Sequence, residues 1–359
     1  MMMKEGYVMK ADFTFIDQTL GYALEKQSMD TSEFLDIKRK IAAISHILFD
    51  LSLKSFMTVL YDGVADTKDI RVCIQPDAGQ VEQVHQLGCD HIKITITHDA
   101  VKKMPVPAAA ALRQAQAREM TVALHITGGC QYSAFELRRL DRTVKKYDIH
   151  SIVFDDERGE LDPIATYQNL LEFQQAIPCL VEYYGKNRLG LVTGNAIGAI
   201  QSGVRCLAVS VGGVAGYPAL EEVLMGALYL LKFPLAVPNN LAACCEEILH
   251  YLGQSVHTTK PIIGSSIFAH ESGIHVDGVN KKSDLYEPFT PETVGLSRKI
   301  IIGKHSGKAS IEFKLKEMNI FIHPVVVQTV LEKVRSLAIW QKAPVSDVQL
   351  LKLVHEAAS

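Results

Sequence analysis

The sequence predicts an α/β fold, a (β/α)8 TIM barrel followed by a small helical C-terminal subdomain. Three observations carry this. Eight short β-rich runs recur, each followed by a segment of helical pattern. Most of the runs are apolar on both faces, as strands buried in a parallel sheet must be. The alternation ends near residue 232, after the roughly 200–250 residues that such a barrel usually takes. An open doubly wound sheet is the competing architecture, because alternation alone does not show closure.

The runs, in order, are "FTFIDQ" (13–18), "HILFDLS" (46–52), "DIRVCIQ" (69–75), "HIKITIT" (91–97), "TVALHIT" (121–127), "SIVFDDE" (151–157), "CLVEYYG" (179–185) and "CLAVSVG" (206–212). Amphipathic segments separate them. In "DTSEFLDIKRKIAAI" Asp30 is placed to cap a helix, with Glu33 three residues on. After the eighth run, "YPALEEVLMGALYLLK" puts Pro218 near a first helical position. "KFPLAVPNN" then reads as a linker, giving a barrel domain over 1–232 and a C-terminal part over 233–359. That part is expected to hold helices in "LAACCEEILHYLGQ" and around "IFAHESGIHVDGV", a Pro/Gly-punctuated piece, and two helices from Pro324 to His355.

Composition bounds the function. The 359 residues are 48% hydrophobic and 21% charged, with net charge -3 and no long block of one sign, which argues against nucleic acid or a membrane surface as partner. The first residues lack a signal-peptide pattern and no run of 18 apolar residues occurs, so a cytoplasmic location is expected. Seven scattered cysteines without a C-x-x-C pair suggest neither a zinc site nor a disulfide framework.

A barrel of this kind places its chemistry at strand C-termini. The seventh run ends in a polar knot, Tyr183, Tyr184, Lys186, Asn187 and Arg188. Tyr184 and Lys186 stand two apart and are expected to face the same way. Lys186 then serves either as an anion anchor or depressed-pKa base, or as a plug pairing with Asp17 or Asp156. Asp17, Asp155 and Asp156 could offer oxygens to a cation, but no window holds an H-x-H pair.

From Gly264 the sequence "GSSIFAHESGIHVDGVNKKSDLYEPFTPETVGLSRKIIIGKHSGKASIEFKL" resembles homocitrate synthases, especially the nitrogen-fixation type, within the family that includes isopropylmalate synthase. Weaker likeness runs through the barrel: "FIDQTL" is similar to that family's D-T-T-L, "GELDP" to its G-x-L-D-P, and "NRLGLVTGNAIGAIQSG" to the helix after strand seven. The resemblance implies condensation of acetyl-CoA with a 2-oxo acid at a divalent metal. Yet where the family carries R-D-G-E-Q this chain has Gly21-Tyr22-Ala23-Leu24-Glu25, and where it carries H-G-H-N-D-L-G the frame reads Tyr184-Gly185-Lys186-Asn187-Arg188-Leu189-Gly190. The E-D-x-S-R loop has become Thr127-Gly128-Gly129-Cys130-Gln131, Glu157 replaces a Thr, and Tyr217 falls about where an Asn near the metal is expected.

No metal is therefore expected in this barrel, with Lys186 balancing Asp17 and Asp156 in its place. Lys186, Tyr184, Arg188, Asp17 and Asp156 are the expected substrate-binding residues. In the tail, the resemblance implies a catalytic histidine offered to a partner's barrel, and His270, Glu271, His275 and Tyr286 are the expected catalytic group; packing at a dimer interface is the alternative role. Three functions follow: a subunit, as homodimer or in a heteromer with a metal-competent homologue, that donates His275 in trans; a metal-free acyltransferase or lyase using Lys186; or a 2-oxo acid sensor.

Overall fold

The computed structural model describes residues 13–26, 29–61, 63, 67–271 and 287–358. Eight strands close into a parallel barrel in sequence order: β1 (Thr14–Asp17), β2 (Ile47–Ser52), β3 (Ile70–Ile74), β4 (His91–Thr97), β5 (Thr121–Thr127), β6 (Ser151–Asp156), β7 (Leu180–Gly185) and β8 (Cys206–Val209). Closure is direct: Phe15 of β1 pairs with Ile47 on one side and Leu207 on the other. The open-sheet alternative is thereby discarded.

Among the described residues the α-helices up to Tyr251 are α1 (Thr19–Lys26), α2 (Thr31–Ala42), α3 (Leu53–Tyr61), α4 (Ala78–Gln86), α5 (His98–Lys102), α6 (Val106–Ala117), α7 (Ala134–Tyr147), α8 (Pro163–Ala176), α9 (Val192–Ser202), α10 (Leu220–Tyr229) and α11 (Leu241–Tyr251). Local signals start them. Asp30 and Glu33 form a complete capping box on α2, and Ser133 and Glu136 form another on α7, each satisfying two otherwise orphaned amides. Pro218 stands near the start of α10, as expected, immediately before its cap. Ala219 is the cap, and the Pro218 carbonyl accepts the Ser210 N–H at 2.9 Å.

Strand parity decides which side chains fill the barrel. Ile16, Val153, Tyr184 and Ala208 cluster inside it, while the intervening Phe15, Phe49, Ile152 and Leu207 are fully buried beneath the helices. Residues Met1–Val237 with Cys244–Ser255 form one compact unit, and Pro238–Ala243 with Val256–Ser359 form a second.

The second unit contains a two-strand parallel sheet, β9 (Ala269–His270) with β10 (Lys299–Ile300), and helices α12 (Lys308–Glu317), α13 (Pro324–Gln341) and α14 (Asp347–Ala358). Its core is Ile311, Leu315, Val327, Val330, Leu331, Val334 and Leu350. Two expectations change here. Ala269–His270 is strand rather than helix, and α12 occupies part of the piece read as irregular. Among the described residues no helix is long and apolar enough to cross a membrane.

Candidate functional site

The barrel interior is polar where a core of aliphatic layers is usual. Asp50 of β2 accepts hydrogen bonds from Arg71 Nε of β3 (2.7 Å), Lys93 Nζ of β4 (2.5 Å), Tyr184 Oη of β7 (2.5 Å) and Gln18 Nε2 (3.0 Å). Arg71 reaches on to Glu182 Oε1 at 2.7 Å, which also accepts from Ser151 Oγ. Lys93 Nζ lies 4.6 Å from the Tyr184 ring centre. All five principal members, Asp50, Arg71, Lys93, Glu182 and Tyr184, are at most 6% exposed.

Two carboxylates thus face two fixed cations in a medium where an unpaired charge costs several kcal/mol. Burial alone raises the pKa of Asp50, but Arg71 and Lys93 overcome it and hold the carboxyl well below the usual range. Burial likewise opposes the charge on Lys93, and Asp50 restores it, leaving its pKa above the ordinary lysine value. Burial drives the Tyr184 phenol well above its ordinary pKa, so it stays a neutral donor.

Sequence reading missed Asp50, Arg71, Lys93 and Glu182, each set inside an apolar run. Their signal was parity, since single charges inside buried strands must either meet across the barrel or go unpaired.

The expected pairing of Lys186 with Asp17 and Asp156 is corrected by the same parity. Asp17 alternates with Ile16 and so faces the helices, where its Oδ2 accepts the Leu20 N–H at 2.7 Å. Asp156 alternates with Asp155, and its oxygens accept the N–H groups of Glu160 (3.0 Å) and Leu161 (3.2 Å). Neither pairs with Lys186. Lys186 lies just past the end of β7, with its Nζ 3.0 Å from the Ala215 carbonyl and 3.3 Å from the Tyr217 ring centre. Burial pulls its pKa down to about 8, against the opposing pull of Asp155 and Glu157.

Local backbone makes this mouth possible. Gly159 has φ +62, and a Cβ there would strike the Lys186 carbonyl and the Arg188 side chain. The loop after β8 runs through left-handed conformations at Gly212, Gly213 and Ala215, which turns the Ala215 carbonyl towards Lys186. Arg188 is exposed at this rim.

Burial raises the Asp17 pKa to about 6, with the Leu20 amide opposing. Its folded pKa exceeds the unfolded one, so the native state holds the proton more tightly and stability declines as pH rises from about 4 to about 6. Asp17→Asn keeps an acceptor and removes the charge. Its thermal midpoint is expected above that of the parent at pH 7.5, worth about 3 kcal/mol at most, with the difference vanishing near pH 4.

A second polar group sits at the same mouth. His125 Nε2 of β5 lies 2.7 Å from Asp155 Oδ2 of β6, and the His125 ring centre is 5.5 Å from that of Tyr184. Asp155 and Asp156 line a cavity of about 290 Å³ with His98, Gly128, Cys130 and Arg158.

A divalent cation requires several oxygen or nitrogen ligands free to converge on one point. Asp50 is surrounded by cations and a phenol, Asp17 Oδ2 and both Asp156 oxygens accept amides, and Asp155 faces His125. Among the described residues no group of three or more His, Cys, Asp or Glu side chains is arranged to hold a metal.

In the second unit, His270 Nε2 lies 3.7 Å from Glu287 Oε1, and Glu287 is clasped by Arg298 (Nη2–Oε2 2.6 Å). Glu271 Oε1 accepts the His305 N–H at 3.0 Å. His275 and Tyr286 lie outside the described residues.

Comparison with known proteins agrees with these two parts. The HMGL-like family model matches residues 38–245, and a model described as homocitrate synthase post-HMGL domain-like matches 262–342. The chain is 36% identical over 222 residues to 2-isopropylmalate synthase 2 of Caldanaerobacter subterraneus subsp. tengcongensis, covering 60% of this chain and 57% of that one. It is 38% identical over 207 residues to homocitrate synthase 1 of Nostoc sp., covering 56% and 55%. It is 31% identical over 202 residues to the homocitrate synthase omega subunit of Clostridium pasteurianum, covering 55% and 56%. The chain thus spans about half the length of the curated relatives it matches. Among solved structures, an HMG-CoA lyase from Acinetobacter baumannii, in complex with coenzyme A and 3-methylmalate, superposes with TM-score 0.56 at 15% identity over 70% of this chain and 94% of that one, a likeness of fold.

Proposed function

The chain belongs to the HMGL-like family, and on that premise we propose that it is a homocitrate-synthase-type subunit of an acyltransferase that condenses acetyl-CoA with a 2-oxo acid. Its own barrel does not perform the metal-assisted step. It pairs with a homologue that carries the ligand set, and contributes the segment around His275 to that partner's site.

The observation that carries this reading is the saturated network around Asp50. Fixed ammonium and guanidinium groups face the central carboxylates Asp50 and Glu182, so the charge of these two is balanced without a divalent cation. An ammonium cannot replace a Lewis acid that polarises a carbonyl directly, a contribution of several kcal/mol. The match over 262–342 and the similarity to a protein named as a subunit support a retained tail on an emptied barrel. His270 and Glu271 hold that tail together through Glu287 and His305, which leaves His275 as the proposed proton-transfer group, a residue type suited to abstraction near neutral pH.

Co-expression tests the pairing. With an affinity tag on this chain and an untagged, metal-competent homologue, the two chains are expected to elute together at fixed ratio. Recovery of this chain only as monomer or homodimer, at every expression ratio, contradicts the reading.

A further inference from the structure

We propose that the N-terminal mouth of the barrel, the end opposite the strand C-termini, is a binding site for a small anion that also carries a hydroxyl group. The inference concerns a different end of the molecule from the function proposed above and does not rest on it.

The mouth holds a cavity of about 480 Å³, a size typical of small-molecule sites. It lies wholly within the barrel unit and is built from the starts of the strands. Its walls are apolar, with Ile16, Leu48, Ala123 and Leu180. Its floor is the Arg71–Glu182 ion pair. Its rim carries three imidazoles, His46 directly before β2, His91 at the start of β4 and His150 directly before β6, together with Lys68 before β3.

The floor calls for a hydrogen-bond donor. Both bonds that Glu182 accepts, from Arg71 Nη1 at 2.7 Å and Ser151 Oγ at 2.5 Å, fall on Oε1. The residue is 3% exposed, and among the described residues its Oε2 has no hydrogen-bond partner. A buried carboxylate oxygen is costly to leave in that state. Arg71 and Lys93 already balance Asp50 and Glu182 in charge, so Oε2 lacks a hydrogen rather than a cation. A hydroxyl supplies the hydrogen without adding a charge to the network.

The rim calls for an anion. Asp69, the other carboxylate lining the cavity, pairs with Lys38 at 2.6 Å. The remaining titratable groups of the rim, Lys68 and the three histidines, are all of the kind that carries positive charge. Burial, with Arg71 and His150 close by, lowers the His91 pKa against the opposing pull of Asp90. An anion at the rim reverses that direction, because it favours the protonated imidazole. His46 and His150 are exposed and His91 is half-buried, so a ligand entering from solvent meets the imidazoles first and the Glu182 floor last.

The test uses the full chain and two matched pairs of probes with and without a hydroxyl, L-malate against succinate and glycerol 3-phosphate against propyl phosphate. Thermal shift and calorimetric titration report binding. Saturable stabilisation by at least one hydroxylated probe is expected, with its plain counterpart at least about 10-fold weaker, and the carboxylate and phosphate arms decide which anion the rim takes. Histidine side-chain NMR should show a raised pKa for His91 or His150 in the bound state. Lys68→Ala combined with His150→Ala, both at exposed positions, should weaken binding at least about 10-fold. Leu180→Trp, at a half-exposed wall position, should block the mouth and serves if the double variant folds poorly. Equal binding of hydroxylated and plain probes overturns the role of Glu182 and with it the proposal. Binding that both variants leave unchanged places the probe elsewhere on the chain and also overturns it. Absence of saturable binding by all four probes leaves the mouth to water alone and overturns it as well.

Discussion

Asp50→Ala is expected to destabilise the barrel by about 3–5 kcal/mol, because it strands two buried cations rather than deleting one contact. Arg71 and Lys93 would lose the carboxylate that keeps them charged, and Glu182 alone cannot balance both. For a unit of this size the thermal midpoint should fall on the order of 10 °C. The combination Asp50→Ala with Lys93→Met should recover much of the loss, since one carboxylate then faces one guanidinium. Asp50 has a depressed pKa, so its stabilising contribution is present above the ordinary carboxylate range and is lost as pH falls below it. Differential scanning calorimetry of the single and paired variants at pH 7 checks the prediction. Equal destabilisation by both would mean that the network's charges do not act together.

The second large effect is catalytic and concerns the proposed assembly. His275→Ala in this chain, co-expressed with an intact homologue, is expected to lower acetyl-CoA-dependent thiol release by about 10²–10⁴-fold. The assembly should still form, because the core of the second unit lies in α12, α13 and α14. A rate unchanged by the substitution would assign the tail a packing role only.

Much of the fold was legible. The eight runs predicted each observed strand to within a few residues at either end, because strands buried on both faces carry few polar residues to blur their limits. Closure was not legible, since it depends on β1 meeting β8 across almost the whole domain. The site was read only at its rim. Lys186 and Tyr184 were found by their place at a strand end, but their partners were not: Asp50, Arg71 and Glu182 are separated by 21 and 111 residues from the groups they bond. Asp17 was assigned to the mouth although one-residue parity turns it towards the helices, and Asp156 was paired with Lys186 although its side chain accepts the Glu160 and Leu161 amides. The pairing of His125 with Asp155 was invisible for the same reason as that of Arg71, because residues on adjacent strands become neighbours only once the register is known. The stretch around Ala269 shows the reverse error, where a helix-like pattern became a two-residue strand held by Lys299–Ile300.

The most direct test of the central claim, that this chain's barrel does not itself carry out the metal-assisted condensation, is thiol release from acetyl-CoA with 2-oxoglutarate and a divalent metal, measured on the purified chain alone and then with a metal-competent homologue. The account predicts no release above background from the chain alone, and release that depends on His275 once the homologue is added. Metal-dependent turnover by the chain alone, at an enzyme-like rate, would contradict it.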